Sequence, residues 1–227
     1  MKKTLLILSA IVLFFAGCKK DTLFEEGEVL YSGSINGYKY IDLGLPSGLK
    51  WATCNVGASS PEDYGNYYAW GETETKTEYT RDNSLTYGLT KSELKLQGYI
   101  DGSGNLNPSH DAATANWGGS WRMPTEAELK ELKNICTWTW ITQNGVKGYN
   151  VTGPNGNHIF LPAAGRRYGT SLYYDGNFGG YWSSSPDDDD YGYDDRDAYY
   201  LIFDDGDDER MCLTGRSYGL TVRPITE

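Results

Sequence analysis

Lysine and glutamine are missing from the last third of the chain: Lys147 and Gln143 are the final examples in 227 residues. Histidine is confined to His110 and His158, and cysteine to four positions whose spacing fits no zinc motif. Apart from Thr4 to Phe15, long apolar runs are lacking, which excludes a bundle of membrane-spanning helices. Positive charge is in deficit, with 20 Lys and Arg against 31 Asp and Glu, so the phosphates of a nucleic acid would be repelled. No repeat of fixed period occurs, which argues against a solenoid or propeller.

What is present points to a β-rich domain with many turns. Gly 28, Tyr 19 and Trp 7 are high, and the length suffices for one domain with a sizeable core. The acidity is local. Between Thr170 and Thr221 stand thirteen acids and three arginines, which carry almost all of the net charge of -11.

Met1-Lys2-Lys3 is a basic start, and Thr4 to Phe15 is too short to span a bilayer comfortably. Phe15-Ala16-Gly17-Cys18 then resembles the lipobox of bacterial lipoproteins, with Phe15 in place of the usual leucine. That resemblance implies residues 1–17 as signal peptide and acylation of Cys18, several acyl chains making the attachment stable. Residues 18–36, with Lys19, Lys20, Glu25, Glu26 and Glu28, read as a polar tether. The implied location is the outer membrane of a Gram-negative bacterium, at the cell surface, with the membrane itself a partner through the anchor.

Residues 37–227 read as one domain. Tyr38 to Leu43, the turn Pro46-Ser47-Gly48 and Leu49 to Val56 make a hairpin. Ser59 to Ser109 is looser, with a short helical hint at Lys91 to Leu96. Thr125 and Glu128 form a capping box for a helix whose apolar face is Leu129 and Leu132, with Ile135 beyond. Strands follow at Thr137 to Ile141, Tyr149 to Val151 and His158 to Leu161, separated by turns at Asn144-Gly145 and Pro154-Asn155-Gly156. One clear helix among many strands is an α+β class, with short antiparallel strands and few helices.

Several ordered segments carry a resemblance. Tyr40 to Ala52 (YIDLGLPSGLKWA), Asn55 to Ala58, Trp117 to Thr125 (WGGSWRMPT), Leu161 to Gly165, Tyr181 to Ser184 and Val222 to Pro224 resemble the Fibrobacter succinogenes major paralogous domain. The family is similar to the C-type-lectin-like fold, shared with formylglycine-generating enzymes and with the variable proteins of diversity-generating retroelements. Such elements rewrite a C-terminal segment by misincorporation at template adenines.

The segment's composition agrees with that process. Scrambling the adenines of AAC codons yields every residue except Lys, Glu, Gln, Met and Trp. From Thr170 to Thr221 the exceptions are Trp182, Glu209 and Met211, and the acids are twelve Asp to one Glu. Elsewhere they are six Asp to twelve Glu. A putting-together of loops rich in Asp and Gly would share part of this bias. Residues 173–218 are therefore the expected variable segment.

Period-2 alternation places Tyr199, Leu201 and Phe203 on one strand face and Tyr200, Ile202 and Asp204 on the other. With Leu201 and Phe203 inward, the second face is free to vary, and Pro186 to Asp197 and Asp204 to Asp208 read as loops beside it. The expected ligand contacts are Asp175, Phe178, Asp187, Asp188, Asp189, Asp190, Tyr200, Ile202, Asp204, Asp205, Asp207, Asp208, Leu213, Thr214 and Tyr218. Trp182, Arg122 and Arg223 read as scaffold. A surface of Tyr, Asp, Gly and Ser resembles antibody combining sites in composition. Its acidity favours a protein or glycan ligand that is cationic or rich in hydroxyls.

Neither catalysis nor a cofactor is expected. The aspartate runs match no EF-hand and no Trp-Asn-Asp triplet occurs, so calcium is a rival rather than the expectation. His110-Asp111 lacks a nucleophile, and Cys54, Cys136 and Cys212 show no reactive pair of the formylglycine-generating kind. Fold kinship alone transmits no activity. Cys54 and Cys136 either form a disulfide or remain two buried thiols. An adhesive or purely structural surface subunit is the other functional class.

Overall fold

Local capping and turn chemistry accounts for the first half of the fold. The computed structural model describes residues 31–187 and 196–227. In chain order come β1 (Gly33–Ile35), β2 (Tyr38–Asp42), β3 (Lys50–Ala52), α1 (Lys91–Leu96), α2 (Ala112–Trp117) and α3 (Glu126–Ile135). Next are β4 (Thr137–Gln143), β5 (Val146–Thr152), β6 (His158–Pro162), β7 (Arg166–Tyr168) and β8 (Ser171–Tyr173). The chain closes with β9 (Phe178–Pro186), β10 (Asp197–Asp204), β11 (Asp207–Gly215) and β12 (Ile225–Thr226).

The strands form small antiparallel sheets in the orders β1-β2-β3-β12, β4-β5-β6, β11-β10-β9 and β7-β8. With few helices beside them, this is an α+β protein. The Pro46–Gly48 turn sets Ile41 opposite Trp51, and Ile225 then pairs with Trp51 from the other side. The C-terminal strand β12 is thus locked beside β3. Strand β1 lies within the stretch read as tether, because Gly33 to Ile35 pair with Tyr40 to Tyr38.

Helix α3 is held by its capping box: Thr125 Oγ1 accepts from the Glu128 amide, and Glu128 Oε2 accepts from the Thr125 amide at 2.7 Å. Burial alone would raise the Glu128 carboxyl pKa, but Arg122 and the Thr125 amide hold it below its usual value. Leu129 and Leu132 are buried, whereas Ile135 is exposed, because the helix ends at that residue. Asn144 and Gly145, both at positive φ, turn β4 into β5 as the dipeptide predicts.

The main core gathers Tyr68, Trp70, Trp117, Trp121, Trp182, Leu220 and Val222. Arg223, 1 % exposed, sits inside the scaffold with no carboxylate partner among the described residues. Its guanidinium donates to Asn55 Oδ1 and to the carbonyls of Ala52, Thr53 and Phe160 at 2.7–2.9 Å. Satisfying its donors this way offsets the cost of burying the charge.

The two scaffold cysteines do not form a disulfide. Cys54 follows β3, Cys136 caps the C-terminus of α3, and both are half-buried thiols, as is Cys212. Burial pushes the Cys136 thiol up to about 11, so it stays protonated at neutral pH.

Candidate functional site

The C-terminal sheet has two unlike faces. On one, Phe203 is enclosed by Tyr149, Tyr181, Trp138 and Trp140, with ring centroids 5.2–6.4 Å apart. Leu201 is buried beside it, and a Cβ at Gly179 would overlap the Phe203 ring. This face is packed as the alternation requires.

The other face carries Ala198, Tyr200 and Ile202, with Cys212 opposite Tyr200 and Arg210 opposite Ile202. It is less free than expected. Tyr200 is only 6 % exposed, packed in the main core with its ring edge-on to Trp182 at 6.1 Å. A central strand between β9 and β11 has neighbours on both sides, and Ile202, Cys212 and Tyr218 also pack against that core. Burial, then neighbouring Cys212, pushes the Tyr200 phenol up to about 12, with Arg166 and Arg210 opposing. Tyr200 is therefore the floor of this face rather than a freely replaceable contact.

Around that floor runs an arc of accessible side chains. Tyr174 is exposed, its ring 6.3 Å from half-buried Phe178. The Arg166 guanidinium lies over both Tyr174, at 5.5 Å, and Tyr218, at 4.9 Å. Tyr218 in turn meets Tyr168 at 5.4 Å. Backbone bonds between Arg167 and Gly219, at 2.8 and 3.0 Å, fix β7 beside Tyr218.

Beyond Tyr218 the arc opens into a cleft of about 270 Å³ whose lining includes Arg81, Tyr87, Arg196, Leu213 and Thr214. Arg81 and Arg196 both lie over the Tyr87 ring, at 5.3 and 5.9 Å. A buried arginine builds this cleft. Arg216, over Trp70 at 5.1 Å, donates to the carbonyls of Asp197, Thr86 and Leu89, which ties the loop bearing Tyr87 to the start of β10.

The expected contacts divide accordingly. Leu213, Thr214 and Tyr218 meet at the cleft, and Phe178 joins the arc beside exposed Asp175. Asp187 is buried at the end of β9, its amide donating to the Asp197 carbonyl at 3.2 Å, so it is not an exposed contact. Asp204 ends β10 opposite Phe178 and Asp205 follows it in the β10–β11 turn, at the opposite end of that hairpin from Thr214. Seven steps along β10 separate the two ends by about 23 Å. Asp207 and Asp208 belong to β11 rather than to a loop. Asp188, Asp189, Asp190 and Cys18 lie outside the described residues. Trp182, Arg122 and Arg223 are scaffold, as expected.

Arg81, Tyr87, Arg166 and Tyr168 are site residues that the sequence reading passed over, since all precede the acidic segment. The Arg166-Arg167-Tyr168 run was the available signal. His110 and Asp111 do local work: Asp111 caps α2 by accepting from the Thr114 amide and also accepts from the Met123 amide, while His110 lies against Tyr99. Among the described residues, no three His, Cys, Asp or Glu converge on a point that would hold a metal. No family model matches the chain, and neither a curated protein nor a solved structure matches it.

Proposed function

We propose that the chain is a lipid-anchored protein displayed at the outer-membrane surface, with a C-type-lectin-like fold. It holds a protein or glycan ligand on the arc from Phe178 to Leu213 without covalent chemistry, and its C-terminal segment is diversified by a retroelement. One observation carries this reading. Tyr174, Asp175, Leu213, Thr214 and Tyr218, which scrambled AAC codons can encode, are exposed or half-buried, and the last three line one cleft in the surface. Trp182, which those codons cannot encode, is fully buried scaffold beneath it. Tyr200, Leu201 and Phe203, which such codons can also encode, are buried in the same segment, so the reading concerns its exposed positions alone.

The arc's composition supports recognition. Tyrosines give rigid amphipathic area at low entropy cost, and Arg, Asp and Thr supply directed polar contacts. Sequencing the 3′ end of this gene in sister isolates tests the proposal. Differences should fall on the arc codons, with an adenine-differing near-copy downstream. An invariant segment with no near-copy would favour a structural or adhesive subunit instead. Cys18→Ser should abolish palmitate labelling and release the protein from the membrane fraction.

A further inference from the structure

We propose that the cleft between Tyr87 and Tyr218 binds an acidic saccharide unit, a sugar ring bearing a carboxylate or sulfate. This deepens the binding reading above and rests on it. Composition favours a cationic ligand, but the cleft itself collects guanidinium groups. Arg81 and Arg196 share the Tyr87 ring, and Arg166 covers Tyr218 at the rim. Among the described residues none of these three arginines has an ion-pair partner, and Arg81 and Arg196 are exposed. The cleft contains one described carboxylate, Asp197, against its two arginines.

Two like charges at one ring repel, and an anion between them removes that cost. Guanidinium forks match carboxylate and sulfate oxygens geometrically, and both lie within cation–π range of the Tyr87 ring. Acids beyond about 8 Å are screened at physiological salt, whereas Asp82, Asp195 and Asp197, adjacent in sequence to Arg81 and Arg196, oppose the anion, so the guanidinium contacts must outweigh them. The remaining lining suits a sugar. Half-buried Thr214 brings a hydroxyl, and the exposed ring of Tyr168 stands beside Tyr218 as a stacking wall. At about 270 Å³ the cleft is smaller than drug-sized sites and suits a single ring rather than a folded peptide segment.

The test is calorimetric titration of the full chain with trigalacturonate, with its neutral methyl ester and with a sulfated galactan oligosaccharide. The acid or the sulfate should bind, the ester should bind at least about tenfold more weakly, and added salt should weaken the acid. Arg81→Gln and Arg196→Gln, both exposed, should each lower acid affinity about tenfold with unchanged melting temperature. Binding of trigalacturonate alone assigns the carboxylate, and binding of the galactan alone assigns the sulfate. Equal binding of acid and ester, or full affinity in both variants, would overturn the anion site yet leave a binding arc. Failure of all three saccharides would overturn the inference as well. The wider reading would then still be decided separately, by whether the arc codons vary between isolates.

Discussion

The two faces of β10 are built from the same strand and differ in what surrounds them. Leu201 and Phe203 enter a closed aromatic cage, where the neighbours leave no space for change. Tyr200 and Ile202 also meet the core, but their upper edge ends in an accessible arc made by other elements. Under the proposed binding reading, recognition chemistry belongs less to the strand than to the turns and arginines around it. Alternation divides a strand into two sides; the burial of each side depends on what the rest of the chain lays over it.

Four substitutions and one titration sharpen that contrast. Phe203→Ala should be the most damaging, costing about 3–5 kcal/mol in denaturant unfolding, because it empties a cage of four aromatic rings. Tyr200→Ala should cost about 3 kcal/mol; a change under about 0.5 kcal/mol would restore Tyr200 to the exposed class. The Tyr200 phenol adds a pH signature. Its folded pKa of about 12 lies above the unfolded value near 10, so the unfolded chain releases this proton first. That contribution to stability is complete below pH 10 and is lost as pH rises towards 12. Tyr200→Phe should therefore flatten the alkaline fall in melting temperature relative to the wild type.

Smaller effects belong to the arc. Tyr174 holds φ at +61°, which a bulky side chain adopts at a cost, whereas Asn tolerates it. Tyr174→Asn should thus be neutral or stabilising by up to about 1 kcal/mol. Leu213→Ser should shift stability by no more than about 0.5 kcal/mol, since its side chain is exposed on an edge strand.

Elements governed by near neighbours in sequence were legible. The Thr125–Glu128 box, the Asn144-Gly145 turn and helix α1, capped by Thr90 and Glu93, all form where their residues indicate. Strands β9 and β11 were not, because Phe178-Gly179-Gly180 and Asp207 to Arg210 carry loop composition. Their strand state comes from pairing with β10, and at Gly179 from the close approach of Phe203. The inward direction of Leu201 and Phe203 was readable from alternation, but the burial of Tyr200 was not. It depends on Trp182 and on the core that Tyr218 also packs against. The cleft was hidden for the same reason. Arg81 and Tyr87 reach Leu213 through Arg216, whose bonds to Thr86 and Leu89 span 130 and 127 residues.

The most direct measurement is thermal unfolding of two triple variants. Tyr174→Asn with Leu213→Ser and Thr214→Ser should melt within a few degrees of the wild type. Trp182→Tyr with Leu201→Ser and Phe203→Ser should not fold. Equal loss in both would contradict the separation of a replaceable arc from the body that carries it.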